Sequence, residues 1–579
     1  MPSPEQRPTV FLQNACYEHQ YIRSKDSSLI VERPERLRAV TLGLAAAIAR
    51  LGDYSDAPVA PGKPDDSDAS DLADALSRID INRGSTRDEP VNTIRSSASI
   101  QLMNNPAVKF IHGDIDGDKY LENLTSWIKE SRTKIANDQS EIPDGLSQGD
   151  LYLCPGTLDA IQGALGTVCE AVDTVVNPNH SAPRAFVAIR PPGHHCGEDT
   201  PSGFCFVNNV AVAAAHAHLK HGVNRVVIFD IDLHHGNGTQ SIAWQINEET
   251  YRKTIEAEAG ASAKPGPQIY YGSIHDILSY PCEDGKPELV QAASVSIHGN
   301  HGQYIENIHL EEYTSEDHFW NDLYPNRYKR LFSKAKQFLD STGGPGDDVM
   351  VFISCGFDAC EHEYSSMSRH NRKVPTSFYY QFARDAIEFS DRYARGRLVS
   401  VLEGGYSDRA LTSGTLALLC GLVGGTTTID QSWWKTEHLE ELEKAAKKKR
   451  GGRQSLSTAP QDPWLARTMS VFSALEAEGP RPSKKAAVPV PISSRTLRER
   501  KTGPASNVKT ATPTASKPTS PAAKSVAIQK PRPQSRGEGD ASSLSSLSSV
   551  NSDAESGVPP ARKLPKVILR LGPKPEESS

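Results

Sequence analysis

The stretch that most constrains this chain is Asn224 to Thr239, NRVVIFDIDLHHGNGT. Its opening run, Val226-Val227-Ile228-Phe229, is apolar and largely β-branched, as expected of a strand buried on both faces. Four ionisable residues follow at once: Asp230, Asp232, His234 and His235. Alternate residues of an extended chain share a face, so the pattern predicts that Asp230, Asp232 and His234 point together. Gly236 and Gly238 then let the backbone turn sharply. Carboxylate oxygen and imidazole nitrogen at this spacing form a donor set that suits zinc. The plain alternative is a strand end whose polar residues face water.

Three other segments repeat the pattern. Ala185 to Ile189 runs into Arg190-Pro191-Pro192-Gly193-His194-His195, and Val349 to Ile353 into Ser354-Cys355-Gly356-Phe357-Asp358. Leu398 to Leu402 runs into Glu403-Gly404-Gly405-Tyr406. Helix-length segments, such as Asn209 to His221 and Ser377 to Arg395, lie between them. Strand and helix in alternation imply a parallel α/β sheet. Ligands of such sheets sit outside the carboxyl ends of the strands, so all four polar clusters are expected to converge on one pocket.

RPPGHH, SGFC, DIDLHHGNGTQ, SCGFDA and LEGGY, in this order, resemble the zinc-dependent histone deacetylase family, most closely its class II branch and fungal members. The resemblance implies an arginase/deacetylase-like α/β single domain with an eight-stranded, mostly parallel sheet. It also implies Zn2+ held by Asp232, His234 and Asp358, with His194, His195, Tyr406, Asp230 and Asn237 as catalytic residues. His195 would be the base, His194 its partner tuned by Asp230, and Asn237 the group that orients His195. Tyr406 would hydrogen-bond the oxyanion; family members with histidine there are weak deacetylases. Asp230, Asp232, His234, Ser273 and Ile274 match a structural potassium (K+) site. Asp150, Gly203, Phe204 and Tyr280 match the substrate-binding rim and tunnel walls, with Tyr280 standing where the family usually has phenylalanine. Arg36 matches an arginine beneath the active site, although a surface helix start beginning near Pro34 accounts for it equally. Asp150 could also be an ordinary residue near a helix start.

At 579 residues, length alone suggests three or four domains, but the 40 prolines gather in a few stretches. No apolar run reaches the roughly 18 to 20 residues that span a bilayer, and the N-terminus lacks the features of a signal peptide. Nine scattered cysteines without a CxxC fit reduced thiols of the nucleus or cytoplasm. Cys196, Cys205 and Cys355 read as small core residues. Net charge is −7, yet the segment 481–579 holds about 18 Lys and Arg against about 7 Asp and Glu, leaving an acidic body. Such a body attracts lysine-rich partners.

These signals divide the chain into a catalytic domain at 1–430, a helical extension at 431–479 and a disordered basic Ser/Pro-rich tail at 480–579. Insertions are expected at about 52–106 and 246–268. The second of these and the unusual HGNHGQYIE before Asn307 both follow strands, so either is placed to shape the pocket mouth. Helices are expected over His112 to Trp127, Leu158 to Val176 and Glu437 to Lys449. KAAKKKRGGR at 444–453 reads equally as an import signal or a solvated helix end.

The implied activity is hydrolysis of N6-acetyl-lysine in histones or other proteins, with co-repressor or homo-oligomer contacts and no sequence-specific DNA binding of its own. Three alternatives stay open: an amidase of acetylated polyamines, a non-catalytic acetyl-lysine-binding scaffold, and an arginase-type two-manganese enzyme. Since every motif lies upstream of Pro480, truncation there should leave hydrolysis of a short acetyl-lysine peptide intact. A folded but inactive truncated protein would move that boundary.

Overall fold

A nine-stranded sheet forms the frame, in the order β2-β1-β3-β9-β8-β4-β5-β7-β6. The computed structural model describes residues 7–26, 30–53, 89–113, 119–178, 183–259, 265–424, 429–447 and 462–477. The strands are β1 (Thr9–Gln13), β2 (Asn92–Ser96), β3 (Arg184–Ala188), β4 (Arg225–Asp230) and β5 (Gln268–His275), then β6 (Ser296–His298), β7 (Tyr304–His309), β8 (Val349–Cys355) and β9 (Leu398–Leu402). All pairings are parallel except that of β6 with β7. The central strands β3, β4, β8 and β9 are buried at every position. Helices on both faces cover them, and this explains their unbroken apolar runs.

One face carries α1 (Glu35–Asp53), and the other α2 (Lys119–Ala136), α3 (Thr157–Val176), α4 (Asn209–His221) and α5 (Asn237–Glu258). With α1 lie α6 (Arg330–Ser341), α7 (Ser377–Tyr393) and α8 (Asp408–Val423). Beyond the sheet, α9 (Thr436–Ala446) leads to α10 (Pro463–Ala477), which packs along α1. Arg38 pairs with Glu476 at 2.6 Å and lies over the ring of Phe472, while Arg50 lies 3.5 Å over Trp464. No described helix is long and apolar enough to cross a membrane.

The expected strand count of eight is corrected to nine among the described residues. Both edge strands are short: β2 lies inside the stretch read as a loop insertion, and β6 has only three residues. Thr9 to Leu12 lies in the opening strand, β1, which pairs with β2 on one side and β3 on the other. The single helix expected over His112 to Trp127 is two, Pro106–His112 and α2, the first ending at Gly113. The tail at 480–579 and most of the basic run lie outside the described residues.

The expectation that 246–268 shapes the pocket mouth is also corrected. Of the described residues there, Ile246 to Glu258 form the far half of α5 and Gln268 opens β5, so the segment leads into the amino end of a strand. A 22-residue helix runs about 33 Å, which carries this segment to the amino edge of the sheet. The turn at Asn300–Gly302 lies there too, its Gly302 against Tyr251 and Asn247 of α5.

Beneath the carboxyl edge sits a buried ion cluster. Glu32 accepts from Arg190 at 2.6 and 2.8 Å, from Arg36 at 2.9 Å and from the Tyr152 hydroxyl at 2.8 Å. Glu32 and both arginines are 0% exposed. Removing one partner of such a set leaves uncompensated charge in the interior, at a cost of about 3–5 kcal/mol. Glu32→Ala should therefore lower the unfolding free energy by about that amount, read from urea denaturation. A loss under about 1 kcal/mol would show that water or other groups replace the carboxylate.

Candidate active site

The loops after β3, β4, β8 and β9 meet at the carboxyl edge of the sheet. The ligand atoms of Asp232, His234 and Asp358 lie within 4.8 Å of one another, and all three residues are buried. The strand alternation expected for Asp230, Asp232 and His234 is not what brings them together, because β4 ends at Asp230. Two successive turns do so instead. The Asp232 amide donates to Asp230 Oδ1 at 3.2 Å, and the His234 amide donates to Asp232 Oδ1 at 2.9 Å. Aspartate favours such turns because its side chain binds backbone two residues on. His235 points elsewhere, with Nε2 2.9 Å from Gln240 Oε1.

Asp358 Oδ1 accepts the Leu233 amide at 2.9 Å, and Asp232 Oδ2 accepts the Gly404 amide at 2.8 Å. A Cβ at Gly404 would stand 2.3 Å from Asp358 Oδ2 and 2.6 Å from Asp232 Oδ2. Only glycine lets the β9 loop approach both carboxylates. Burial raises the Asp358 carboxyl, with nearby Asp232 adding to the rise. His234 Nδ1 lies 3.1 Å from Asp232 and 3.0 Å from Asp358. Burial opposes its charge, yet the two carboxylates push its pKa up to about 10. The cluster thus demands positive charge. A divalent cation meets that demand and leaves His234 neutral, as a ligand must be, so the donor set fits zinc.

Beside this cluster, His194 Nδ1 faces Asp230 Oδ2 at 3.2 Å, and His195 Nδ1 faces Asn237 Oδ1 at 2.8 Å. The two environments push the imidazoles apart. Burial works against charge on both, but Asp232 and Asp230 raise His194 to about 10. His195 has only a neutral amide partner, and burial followed by the charges of His194 and His234 drives it well below 6.5. A protonated and a neutral imidazole therefore stand 4.0 Å apart, ring centre to ring centre.

Gly203 and Phe204 both take positive φ, +49° and +67°. A Cβ at Gly203 would meet the His195 ring at 2.4 Å, so the SGF turn needs glycine there. Phe204 is half-buried against Tyr406 at 5.7 Å, and Tyr280 lies edge-on to His195 at 4.8 Å. The Tyr280 hydroxyl is hydrogen-bonded to Ser202, joining the loops after β3 and β5. Asp150 is half-buried in a turn seven residues before α3. It is too far upstream to cap that helix. Ser273 pairs with Asp230 across β4 and β5, and its hydroxyl lies 2.9 Å from His275 Nδ1.

Arg36 is no surface residue. It donates to the carbonyls of Gly405 and Glu403, and its guanidinium lies 5.0 Å from the Tyr406 ring centre. Burial, with Asp358 nearby, holds the Tyr406 hydroxyl well above its usual pKa, so it keeps its proton. All nine cysteines are free and buried, and Cys196, Cys205 and Cys355 have raised pKa values, as expected of core residues.

Sequence reading missed several supporting groups. Glu403 accepts the amides of Gly193 and His194 at 2.7 and 3.2 Å. Glu363 accepts those of Tyr406 and Ser407 at 2.7 and 2.9 Å. Asp276 binds Ser279 at 2.6 Å and His370 at 2.8 Å, tying the Tyr280 loop to the loop after β8. Glu403 carried a signal, a carboxylate directly after a buried strand. Glu363 and Asp276 sit in loops without one.

A parallel α/β sheet with a buried Asp/His/Asp donor set at its carboxyl edge, beside two histidines held in opposed electrostatic settings, is a hydrolase-type site able to hold a metal ion. The chain belongs to the histone deacetylase family: the model for the histone deacetylase domain matches residues 98–422. "Histone deacetylase HOS3" of Saccharomyces cerevisiae is 35% identical over 445 residues, covering 74% of this chain and 57% of the relative. "Type-2 histone deacetylase 1" of Dictyostelium discoideum is 27% identical over 318 residues, covering 47% of this chain and 20% of the relative. "Type-2 histone deacetylase 2" of the same organism is 30% identical over 263 residues, covering 44% and 13%. The chain thus spans little more than half the yeast relative and a smaller share of the other two.

His112 holds the loop after β3 from outside. Its Nε2 accepts the Asn208 amide at 3.0 Å, so Nδ1 carries the proton and donates to the Glu198 carbonyl at 2.7 Å. Burial lowers its pKa to about 4. A base depressed on folding contributes stability above its unfolded value near 6.5, and this is lost as pH falls towards about 4. His112→Gln should flatten the acid-side stability slope by up to about 1.4 kcal/mol per pH unit. Urea midpoints between pH 7 and pH 4.5 measure this. Equal slopes in both proteins would remove His112 from the acid response.

Proposed function

We propose that the chain is a zinc-dependent deacetylase that hydrolyses N6-acetyl-lysine in histones, and in other acetylated proteins, releasing acetate and lysine. What supports this reading is a zinc-type donor set beside His195, which burial keeps neutral, and Tyr406, which keeps its proton, with Phe204 against Tyr406 and Tyr280 against His195. Asp232, His234 and Asp358 would hold the ion. When bound, it supplies Lewis acidity and lowers the pKa of water towards about 7.

The chain's own residues supply the rest. With its Nδ1–H donating a hydrogen bond to Asn237 Oδ1, His195 keeps a lone pair on Nε2, the atom that takes a proton from water and returns it to the leaving amine. His194, charged and paired with Asp230, holds that neighbour neutral until it receives the proton. Tyr406 donates its hydroxyl hydrogen to the oxyanion as charge develops. Arg36 beneath its ring, and Glu363 on its backbone amide, fix where that hydroxyl points.

Phe204 and Tyr280 flank a slot suited to an unbranched methylene stem, with Gly203 forming its turn. Asp150 at the rim would accept backbone amides of a peptide. Asp230, Asp232, His234, Ser273 and Ile274 would hold a structural K+. The acidic body favours lysine-rich tails, co-repressors or a second copy of the chain are the partners implied, and action would be nuclear, cytoplasmic or both, without membrane attachment.

The test compares kcat/KM on an acetylated histone peptide and on acetylspermidine, with Asp150→Ala alongside. The peptide should win, and the rim substitution should raise KM for it. A polyamine preference with a silent rim substitution would replace the protein substrate by a small amide. Tyr406→Phe should lower kcat by roughly 10²- to 10³-fold with little change in KM. An unchanged kcat would remove the tyrosine from the reaction.

A further inference from the structure

A second grouping of metal-type ligands lies away from the active site. Asp173 of α3 and His216 and His221 of α4 bring one ligand atom each to within 4.8 Å of the others. Both imidazoles present the same nitrogen to the same oxygen: His216 Nε2 lies 2.8 Å from Asp173 Oδ1, and His221 Nε2 lies 2.7 Å from it. The rings stand at 74° to each other with centroids 5.9 Å apart, so their lone pairs converge instead of stacking. Lys220 takes the other carboxylate oxygen at 2.7 Å, leaving Oδ1 to the histidines.

The place favours a cation for a second reason. α3 ends at Val176 just before β3, and α4 ends at His221 just before β4. Both helices therefore finish at the amino edge of the sheet, with their partially negative carbonyl ends side by side. His221 is held there by the terminus itself: Gly222 caps the helix with φ +69°, and His218 Nδ1 meets the Val223 carbonyl at 3.1 Å. All three ligands are partly exposed, so solvent can complete the coordination shell.

We propose that Asp173, His216 and His221 form a second, structural zinc site that staples the carboxyl-terminal turns of α3 and α4. Zinc accepts an N2O donor set at about 2.0–2.2 Å. Tetrahedral geometry then needs ligand atoms about 3.3 Å apart, roughly half an ångström wider than the spacing here. Side chains at a partly exposed site make that adjustment by small rotations. The ion exchanges the two hydrogen bonds to Oδ1 for coordination, and it joins two helices whose far ends lie towards the carboxyl edge of the sheet. The inference is independent of the reaction proposed above.

The test uses the full chain, stripped with a chelator, reloaded with zinc and freed of loose metal by gel filtration. Metal content by mass spectrometry should be about one ion per chain higher in the natural protein than in the His216→Ala/His221→Ala double variant. Added zinc should raise the melting temperature of the stripped natural protein more than that of the variant. Asp173→Asn, which keeps the shape of the side chain, should show the same deficit and covers the case in which the double variant fails to fold. Both variants should retain whatever amide hydrolysis the natural protein shows, since none of the three residues is in that machinery. Equal zinc content in the natural protein and a folded variant would overturn the site, leaving Asp173 as a hydrogen-bond acceptor for two histidines. Loss of metal from the catalytic cluster alone would lower all proteins equally and leave the difference readable.

Discussion

Four carboxylates, Asp230, Asp232, Asp358 and Glu403, are buried together at the carboxyl ends of β4, β8 and β9, and the rest of the structure answers to them. Charges of one sign in a low-dielectric interior repel strongly and lose their hydration. Backbone amides of Gly193, His194, Asp232, Leu233, His234 and Gly404 are spent on them. Two imidazoles are drawn towards their cationic form for the same reason. Gly404 follows from it as well: its amide reaches Asp232 where a Cβ would stand 2.3 Å from Asp358 Oδ2.

Below this layer, Glu32 does the opposite work. It gathers the two buried arginines, Arg36 and Arg190, into one compensated set with Tyr152. Arg190 is the first residue of the segment that delivers His194 and His195, and Arg36 lies under Tyr406. One ion cluster thus fixes the approach of His195 from β3 and of Tyr406 from β9. Positioning to a fraction of an ångström is what such chemistry needs, and buried charge pairs supply directional restraint that apolar packing does not.

The two edges of the sheet have different duties. Loops after the strands hold the ionisable groups, while the far end of the long α5, the turn at Asn300–Gly302 and the cluster at Asp173 lie at the opposite edge. Residues added there lengthen a helix or a turn without touching the slot. Near the buried cluster, the Tyr280 loop is held in place by Asp276, His370 and Ser202. The tyrosine hydroxyl that distinguishes this slot is engaged by the facing loop.

What the sequence by itself determined is the chemistry and its address. Apolar runs ending in Asp, His, Glu-Gly-Gly-Tyr and Pro-Pro-Gly-His-His name a parallel sheet and the edge at which its ligands converge, because burial and strand direction leave little choice. Tertiary structure alone decided the rest. Asp230, Asp232 and His234 meet through side-chain turns, not strand alternation, since a carboxylate can bind the amide two residues on. The edge strands β2 and β6 carry no legible pattern, for half-exposed strands of three to five residues need little apolar periodicity. Arg36, Glu363 and Glu32 were ambiguous or silent because a lone charged residue looks alike in water and in the core. Only long-range folding, which sets Glu32 against Arg190 and Arg36 against Glu403, made them part of the site.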